Sequence, residues 1–161
     1  MSSKVGLGYD IHRFKDGRSL WLGGVKIPFA RGLDGHSDAD VVLHALCDAL
    51  LGALGKGDIG EHFPNTESKW KDASGIMLLE HIMSLVRKEG YRVGNADIVI
   101  QAEEPNLKSH KQAMRQSIAK GLEVNDEQVN IKATTQEGLG SLGRKEGIAS
   151  YAVVLIEKKG K

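Results

Sequence analysis

At 161 residues, with 40% hydrophobic residues and only three prolines, the chain has the length and composition of one folded globular domain and is too short for two cores. A formal net charge of +1 argues against a nucleic-acid partner, although local donors can still bind a small anion. The lone Cys47 excludes an internal disulfide, and no apolar run reaches the roughly 18 residues that a membrane-spanning helix needs.

Lys4 to Phe14 alternates and predicts a strand. Val5, Leu7, Tyr9 and Ile11 fall on one face; Gly6, Gly8, Asp10 and His12 fall on the other. The glycines let something approach that second face, where Asp10 and His12 present their tips together. Leu20 to Leu22 and Val25 to Ile27 flank Gly23-Gly24 and predict a tight hairpin. Pro28 to Leu33 reads as loop.

Asp34 to Asp48 organises the chain. Asp34-Gly35 is a turn signal, and Ser37 or Asp38 is placed to cap a helix. Val41, Val42, Ala45, Leu46, Ala49, Leu50 and Leu54 then recur at helical spacing, over about four turns. Asp40, His44 and Asp48 share one side of that helix, which makes physical sense where the side borders a metal or a polar cavity. Cys47, among apolar neighbours, reads as a core thiol.

Gly55 to Gly60 stops the helix and opens a polar connection through Thr66. A second helix is predicted over Ser74 to Glu89, a strand over Tyr91 to Ile100, and a third helix from Asn106 or Ser109 to Leu122. Strands follow at Val129 to Thr134 and Ile148 to Glu157, with one short helical turn inside Thr135 to Gly147. This order predicts an α+β two-layer sandwich: a mixed sheet, helices packed on one face, in one domain over 1–161. The opposite face needs cover, which a partner subunit can supply.

Asp10, His12 and His44 are ligand types that zinc uses, and three protein ligands with one open position describe a catalytic zinc site. Solvated polar residues are the alternative. Asp48 is placed to orient an imidazole rather than to ligate. Lys132 to Gly138 leaves a strand and enters a loop, where adjacent threonine hydroxyls and the Glu137 carboxylate suit phosphate and magnesium. A capping box from Thr134 to Glu137 is the competing reading. Gly143 to Gly147 puts cations on a turn. Gly35, Ser37, Gly57, Asp58 and Gly60 offer donors for an anionic group or a polyol, or are simply turns. His36 beside Ser37 lacks the orienting third group of a nucleophile–base pair. His62, His81 and His110 carry little signal.

Several strings, taken together and in order, resemble the 2-C-methyl-D-erythritol 2,4-cyclodiphosphate synthase family over essentially the whole chain. They are Gly8-Tyr9-Asp10-Ile11-His12-Arg13-Phe14, Asp34 to Asp40 with His44-Ala45 and Asp48-Ala49, and Gly57-Asp58-Ile59-Gly60 with Phe63-Pro64. Lys132-Ala133-Thr134-Thr135 through Glu137 to Gly143-Arg144 and Glu146-Gly147 completes the set. The resemblance implies a homotrimer of the Bacillus chorismate mutase-like fold, with active sites between subunits. It implies zinc on Asp10, His12 and His44, and magnesium or manganese on Glu137 with the substrate diphosphate. His36 and Ser37 would contact phosphates, while Asp58, with Gly60, would hold the methylerythritol. Ala102, Pro105, Asn106 and Leu107, with Ala133, Thr134 and Thr135, would surround the cytidine diphosphate from the neighbouring subunit. Thr135 would also hold the phosphates in line. Arg144 and Glu146 would line the polar end of a cavity on the threefold axis, where a prenyl diphosphate could bind.

The reaction implied is closure of 4-diphosphocytidyl-2-C-methyl-D-erythritol 2-phosphate on itself with loss of CMP, in non-mevalonate isoprenoid biosynthesis. Family members commonly carry Pro-Lys where this chain has Pro105-Asn106 after Glu103 and Glu104, and an aspartate where it has Asn65. Two rivals share the constellation: a metal-dependent phosphohydrolase and a non-catalytic trimer carrying a prenyl diphosphate. No leader is recognisable, so the bacterial cytosol is expected, or an organelle if a transit peptide has been removed.

Overall fold

The computed structural model describes residues 2–160; the ends of the expected domain, Met1 and Lys161, lie outside them. Strand β1 (Ser3–Asp16) pairs antiparallel with β7 (Gly147–Lys158) along most of its length. At its far end it pairs with β4 (Arg31–Leu33). Strand β7 also pairs antiparallel with β5 (Tyr91–Gln101), and β5 pairs parallel with β6 (Val129–Thr134). The mixed sheet therefore has the order β4-β1-β7-β5-β6, and β2 (Leu20–Leu22) with β3 (Val25–Ile27) forms the separate hairpin.

The predicted alternation of β1 explains how the helical layer docks. Helix α1 (Val41–Leu54) lies across β1 and β7, and a Cβ added at Gly6 or Gly8 would sit 1.8 Å from the carbonyl oxygen of Ala49 or Ala45. No side chain fits between strand and helix, so the two backbones touch. Gly55, in the left-handed region, ends the helix as expected. Nearly every residue of α1 is buried, more than one apolar stripe predicts, because helix α3 (Gly75–Lys88) packs against it as well. Helix α4 (Lys111–Leu122) covers β6. Among the described residues, no helix is long and apolar enough to cross a membrane.

The structure differs from expectation in three local places. Arg31–Leu33, read as loop, is an edge strand too short to show alternation. Ile59–His62 forms a one-turn helix, α2, inside the polar connection, capped by Asp58. The cap of α1 is neither Ser37 nor Asp38 but Asp40. Its carboxylate is fully buried and accepts the amides of Leu43 (3.0 Å), Gly23 (2.9 Å) and Gly24 (2.7 Å). The left-handed glycines of the hairpin turn aim their N–H groups there, so Asp40 ties hairpin to helix and stands outside the group formed by Asp10, His12 and His44. Asp38 instead accepts the Gly75 amide that opens α3, at 2.8 Å.

Val5, Leu7, Tyr9 and Ile11 remain exposed on the other sheet face, joined by Tyr151 and Val153 from β7. Tyr9 and Tyr151 are cross-strand partners with ring centroids 4.7 Å apart. Among the described residues, nothing covers this face.

Candidate metal centre and active site

The close approach of α1 to β1 builds the site. Alternation carries the face of Gly6 and Gly8 on to Asp10 and His12, and His44 lies in the first turn of α1, one residue before the Ala45 that touches Gly8. Asp10 Oδ2 lies 2.9 Å from His12 Nε2 and 3.1 Å from His44 Nδ1, and the three ligand atoms all fall within 4.8 Å of one another. Donors around a tetrahedral zinc sit about 3.3 Å apart, so a small opening of this group accepts the ion.

The remaining ring nitrogens are held from behind. His12 Nδ1 meets the Asp34 carbonyl at 2.5 Å and so carries a proton there, which makes Nε2, the atom facing Asp10, the one that would exchange its proton for a metal ion. His44 Nε2 lies 3.1 Å from the Ser37 hydroxyl; with its proton directed there, Nδ1 is free to ligate. The turn carrying Asp34 and Ser37 is itself braced by Arg18, whose guanidinium donates to the carbonyls of Gly35 and Ser37 at 2.6 and 2.5 Å. Burial pushes the Asp10 carboxyl up, but the hydrogen bonds and charge of His12 and His44 outweigh it and hold the group at about 2. Burial likewise disfavours the His12 cation, and the Asp10 contact reverses this to raise the imidazole. The group is arranged to carry a cation.

Asp48, expected to orient an imidazole, has a different hydrogen-bond partner among the described residues. It accepts the Ile59 amide at 2.8 Å, because α2 folds back beside it; the position that backs His44 belongs to Ser37. Burial pushes the Asp48 carboxyl above its ordinary value, against the lowering effect of that amide. Asp58 is exposed and caps α2 through the Glu61 amide at 3.2 Å.

Asp10, His12 and His44 open into a cavity of about 670 Å³. His36 and Ser37 line one side, Gly60 another, and the segment from Asn65 to Asp72 closes over it. Trp70 packs edge-on against Phe63 at 4.6 Å, and its indole N–H is buried without an acceptor. No sequence period marks this aromatic wall, because Phe63 caps the one-turn α2 and Trp70 ends a three-residue 3-10 turn, both too short to show one. His81 packs against Trp70, and His62 meets the Lys56 carbonyl.

The residues expected around the nucleotide lie elsewhere. Ala102, Pro105, Asn106 and Leu107 follow β5, while Ala133, Thr134, Thr135 and Glu137 end and follow β6; parallel pairing sets them side by side. None lines the 670 Å³ cavity. No helix starts at Thr134, so the capping box does not form: Thr135 Oγ1 accepts the Glu137 amide at 3.2 Å, and the next helix is the one-turn α5 (Gly140–Gly143). Asn106 is exposed, and its side-chain oxygen accepts the Lys108 amide two residues on at 2.9 Å. Of its acidic neighbours, Glu104 is paired with Arg31 at 3.0 Å and Lys145 at 3.1 Å. Arg144 and Glu146, 2.7 Å apart, line a separate cavity of about 590 Å³ that also takes in Ile11 and Arg13.

A strand Asp-x-His set facing a helical histidine, above a cavity with polar and aromatic walls, marks a small metal-binding α+β protein. The model of the YgbB family matches residues 3–157, and the chain belongs to that family. It is 54% identical to the 2-C-methyl-D-erythritol 2,4-cyclodiphosphate synthase of Syntrophomonas wolfei over 155 residues, covering 96% of this chain and 99% of that one. It is similar in structure to the bifunctional IspDF of Campylobacter jejuni (TM-score 0.94, 44% identity), covering 98% of this chain but 43% of that longer one. The Plasmodium falciparum IspF, solved as a CDP complex, matches with TM-score 0.87 and 33% identity over 99% of this chain and 98% of that one.

Proposed function

We propose that the chain converts 4-diphosphocytidyl-2-C-methyl-D-erythritol 2-phosphate to 2-C-methyl-D-erythritol 2,4-cyclodiphosphate and CMP, as a phosphorus–oxygen lyase of non-mevalonate isoprenoid biosynthesis in the cytoplasm. The observation that carries this is the Asp10/His12/His44 group opening on a polyol-sized cavity, in a chain 54% identical to a named synthase. An oxygen of the substrate's 2-phosphate forms a bond to the β-phosphorus, and the bond from that phosphorus to the bridging oxygen breaks, releasing CMP. No protein nucleophile is required, so the chain's task is to fold one molecule back on itself.

Asp10, His12 and His44 would hold zinc, which polarises a phosphoryl oxygen and offsets its charge. The free Glu137 carboxylate would hold magnesium or manganese, a fit that needs substrate oxygens to complete the shell. His36 and Ser37 would contact phosphate, Asp58 and Gly60 the methylerythritol, and Thr135 the phosphates in line. Ala102, Pro105 to Leu107, Ala133 and Thr134 would cradle the cytidine diphosphate.

The division of these residues between two places supports a homotrimer of the Bacillus chorismate mutase-like fold, in which a neighbouring copy brings its nucleotide loop to the zinc cavity. The bare face of Leu7 and Tyr9 would turn toward the threefold axis. Arg144 and Glu146 would then sit at the polar end of an axial cavity able to take a prenyl diphosphate.

The test is phosphorus NMR of purified protein with the cytidyl substrate, magnesium and trace zinc. A new cyclic diphosphate pair with stoichiometric CMP is expected, and both His44→Ala and Glu137→Gln should reduce turnover at least a hundredfold. Inorganic phosphate without cyclic product would indicate a hydrolase. No turnover by a zinc-loaded trimer would indicate a binding protein.

A further inference from the structure

Glu103 lies at the end of β5, half-buried, among the residues assigned above to the nucleotide. Its carboxylate does not face an empty site. Glu103 Oε1 accepts the amide of Gln136 at 2.7 Å and that of Gly138 at 3.3 Å, on either side of Glu137. The intervening amide, of Glu137 itself, is taken by Thr135 Oγ1 at 3.2 Å. Glu137 and Gly138 are both left-handed, at φ 52° and 73°, which turns successive N–H groups into a concave nest suited to one anionic oxygen.

Glu137 has a Cβ and sits in an exposed loop, so its left-handed conformation must be held by its surroundings; the Leu139 amide donates to the Gln136 carbonyl at 2.9 Å across the turn, and Gly143 packs against the Gly138 backbone. To these the Glu103 carboxylate adds two hydrogen bonds, from the amides on either side of Glu137, and it is the contact that ties this turn to the segment after β5. Such charge-assisted bonds are stronger than the neutral ones of an ordinary turn. Glu104, beside it, is occupied with Arg31 and Lys145 and cannot substitute.

We propose that Glu103 is a positioning residue: it fixes the Glu137 loop for a divalent cation and ties the nucleotide-contacting loop to that cation's site. The inference rests on the reading of Glu137 as a metal ligand. It also gives Glu103, two residues before Pro105, a structural use in place of a repulsive one toward nucleotide phosphate.

The test is Mn²⁺ binding to the zinc-loaded protein with CDP present, followed by electron paramagnetic resonance, with zinc content and thermal unfolding measured on the same samples. Glu103→Ala should weaken Mn²⁺ binding about tenfold to a hundredfold, the usual consequence of removing a group that orients a ligand. Glu103→Gln, whose amide oxygen still accepts both N–H groups, should restore most of it. Glu103→Asp keeps the charge but withdraws the oxygen by one methylene; it should lose affinity like the alanine variant, and it serves if that variant fails to fold. Zinc content should not change in any of them. Wild-type Mn²⁺ binding in folded Glu103→Ala or Glu103→Asp, with binding lost in Glu137→Gln, overturns the role of Glu103 and leaves that of Glu137. Wild-type binding in Glu137→Gln overturns both.

Discussion

The two faces of β1 obey the same alternation and meet opposite fates. On one, Gly6 and Gly8 admit the backbone of α1 so closely that a single methyl group has no room. On the other, Val5, Leu7, Tyr9 and Ile11 stand exposed, Leu7 to 65%. The covered face is settled within the chain, and its far end carries Asp10 and His12. The bare face has the composition of a core and no partner among the described residues, a combination typical of an interface. Close backbone packing thus does two jobs on the covered side: it makes the core and it sets how near His44 comes to Asp10.

Breaking the covered face should have the largest effect. In Gly8→Ala the new Cβ would lie 1.8 Å from the Ala45 carbonyl oxygen and 2.7 Å from the Ala49 amide nitrogen, both backbone atoms of a buried helix. The helix must move outward, at a cost of about 3 kcal/mol or more, a large share of the roughly 5–15 kcal/mol that holds a domain folded. Chemical denaturation should show that loss. Any folded fraction should bind zinc poorly, because His44 moves with Ala45; a stable, fully zinc-loaded variant would mean that the contact is not what sets the site.

The bare face should answer differently. Leu7 is 65% exposed, so Leu7→Arg removes little contact inside the chain, and unfolding of a single subunit should shift by no more than about 0.5 kcal/mol. Light scattering should instead show the assembly reduced to monomers that retain zinc but do not turn over, since the nucleotide loop and the zinc cavity would then be on separate molecules. An active monomer would remove the reason for placing the active site between subunits.

These two faces were legible in the sequence because strand alternation is a local code: each residue's side follows from its neighbour's. The same is true of α1, α3 and the hairpin, whose periods and turn residues lie within a few positions of one another. What was not legible depends on pieces distant in sequence. Asp40 looks like a member of a polar helix face with His44 and Asp48 until the hairpin glycines, 16 and 17 residues away, arrive to be capped. Arg31–Leu33 is a strand only because Phe14 to Asp16 is there to pair with it. The Asp10, His12 and His44 group stood out from ligand types and placement alone, whereas the roles assigned to Glu137 and the nucleotide loop rested on resemblance. Glu103 was visible as an acid, but its two amide partners lie more than 30 residues on, and no spacing rule reaches that far.

Asp48 and Ser37 give the smallest and sharpest test of how the covered face carries its chemistry. Helical spacing puts Asp48 one turn beyond His44 and makes it the natural partner of the imidazole, yet its carboxylate is held by the Ile59 amide at 2.8 Å. Ser37 reaches His44 Nε2 from a turn rather than from the helix, at 3.1 Å, and also accepts the Ala39 amide at 3.1 Å. A hydroxyl so placed fixes the tautomer that leaves Nδ1 toward the metal. Ser37→Ala should therefore weaken zinc about tenfold, read by competition with a chromophoric chelator, while Asp48→Asn should leave zinc affinity unchanged and instead raise the KM for the cytidyl substrate by loosening α2 and its Asp58 cap. If Asp48→Asn releases zinc and Ser37→Ala does not, helix periodicity was the better guide to the imidazole's partner than the turn geometry.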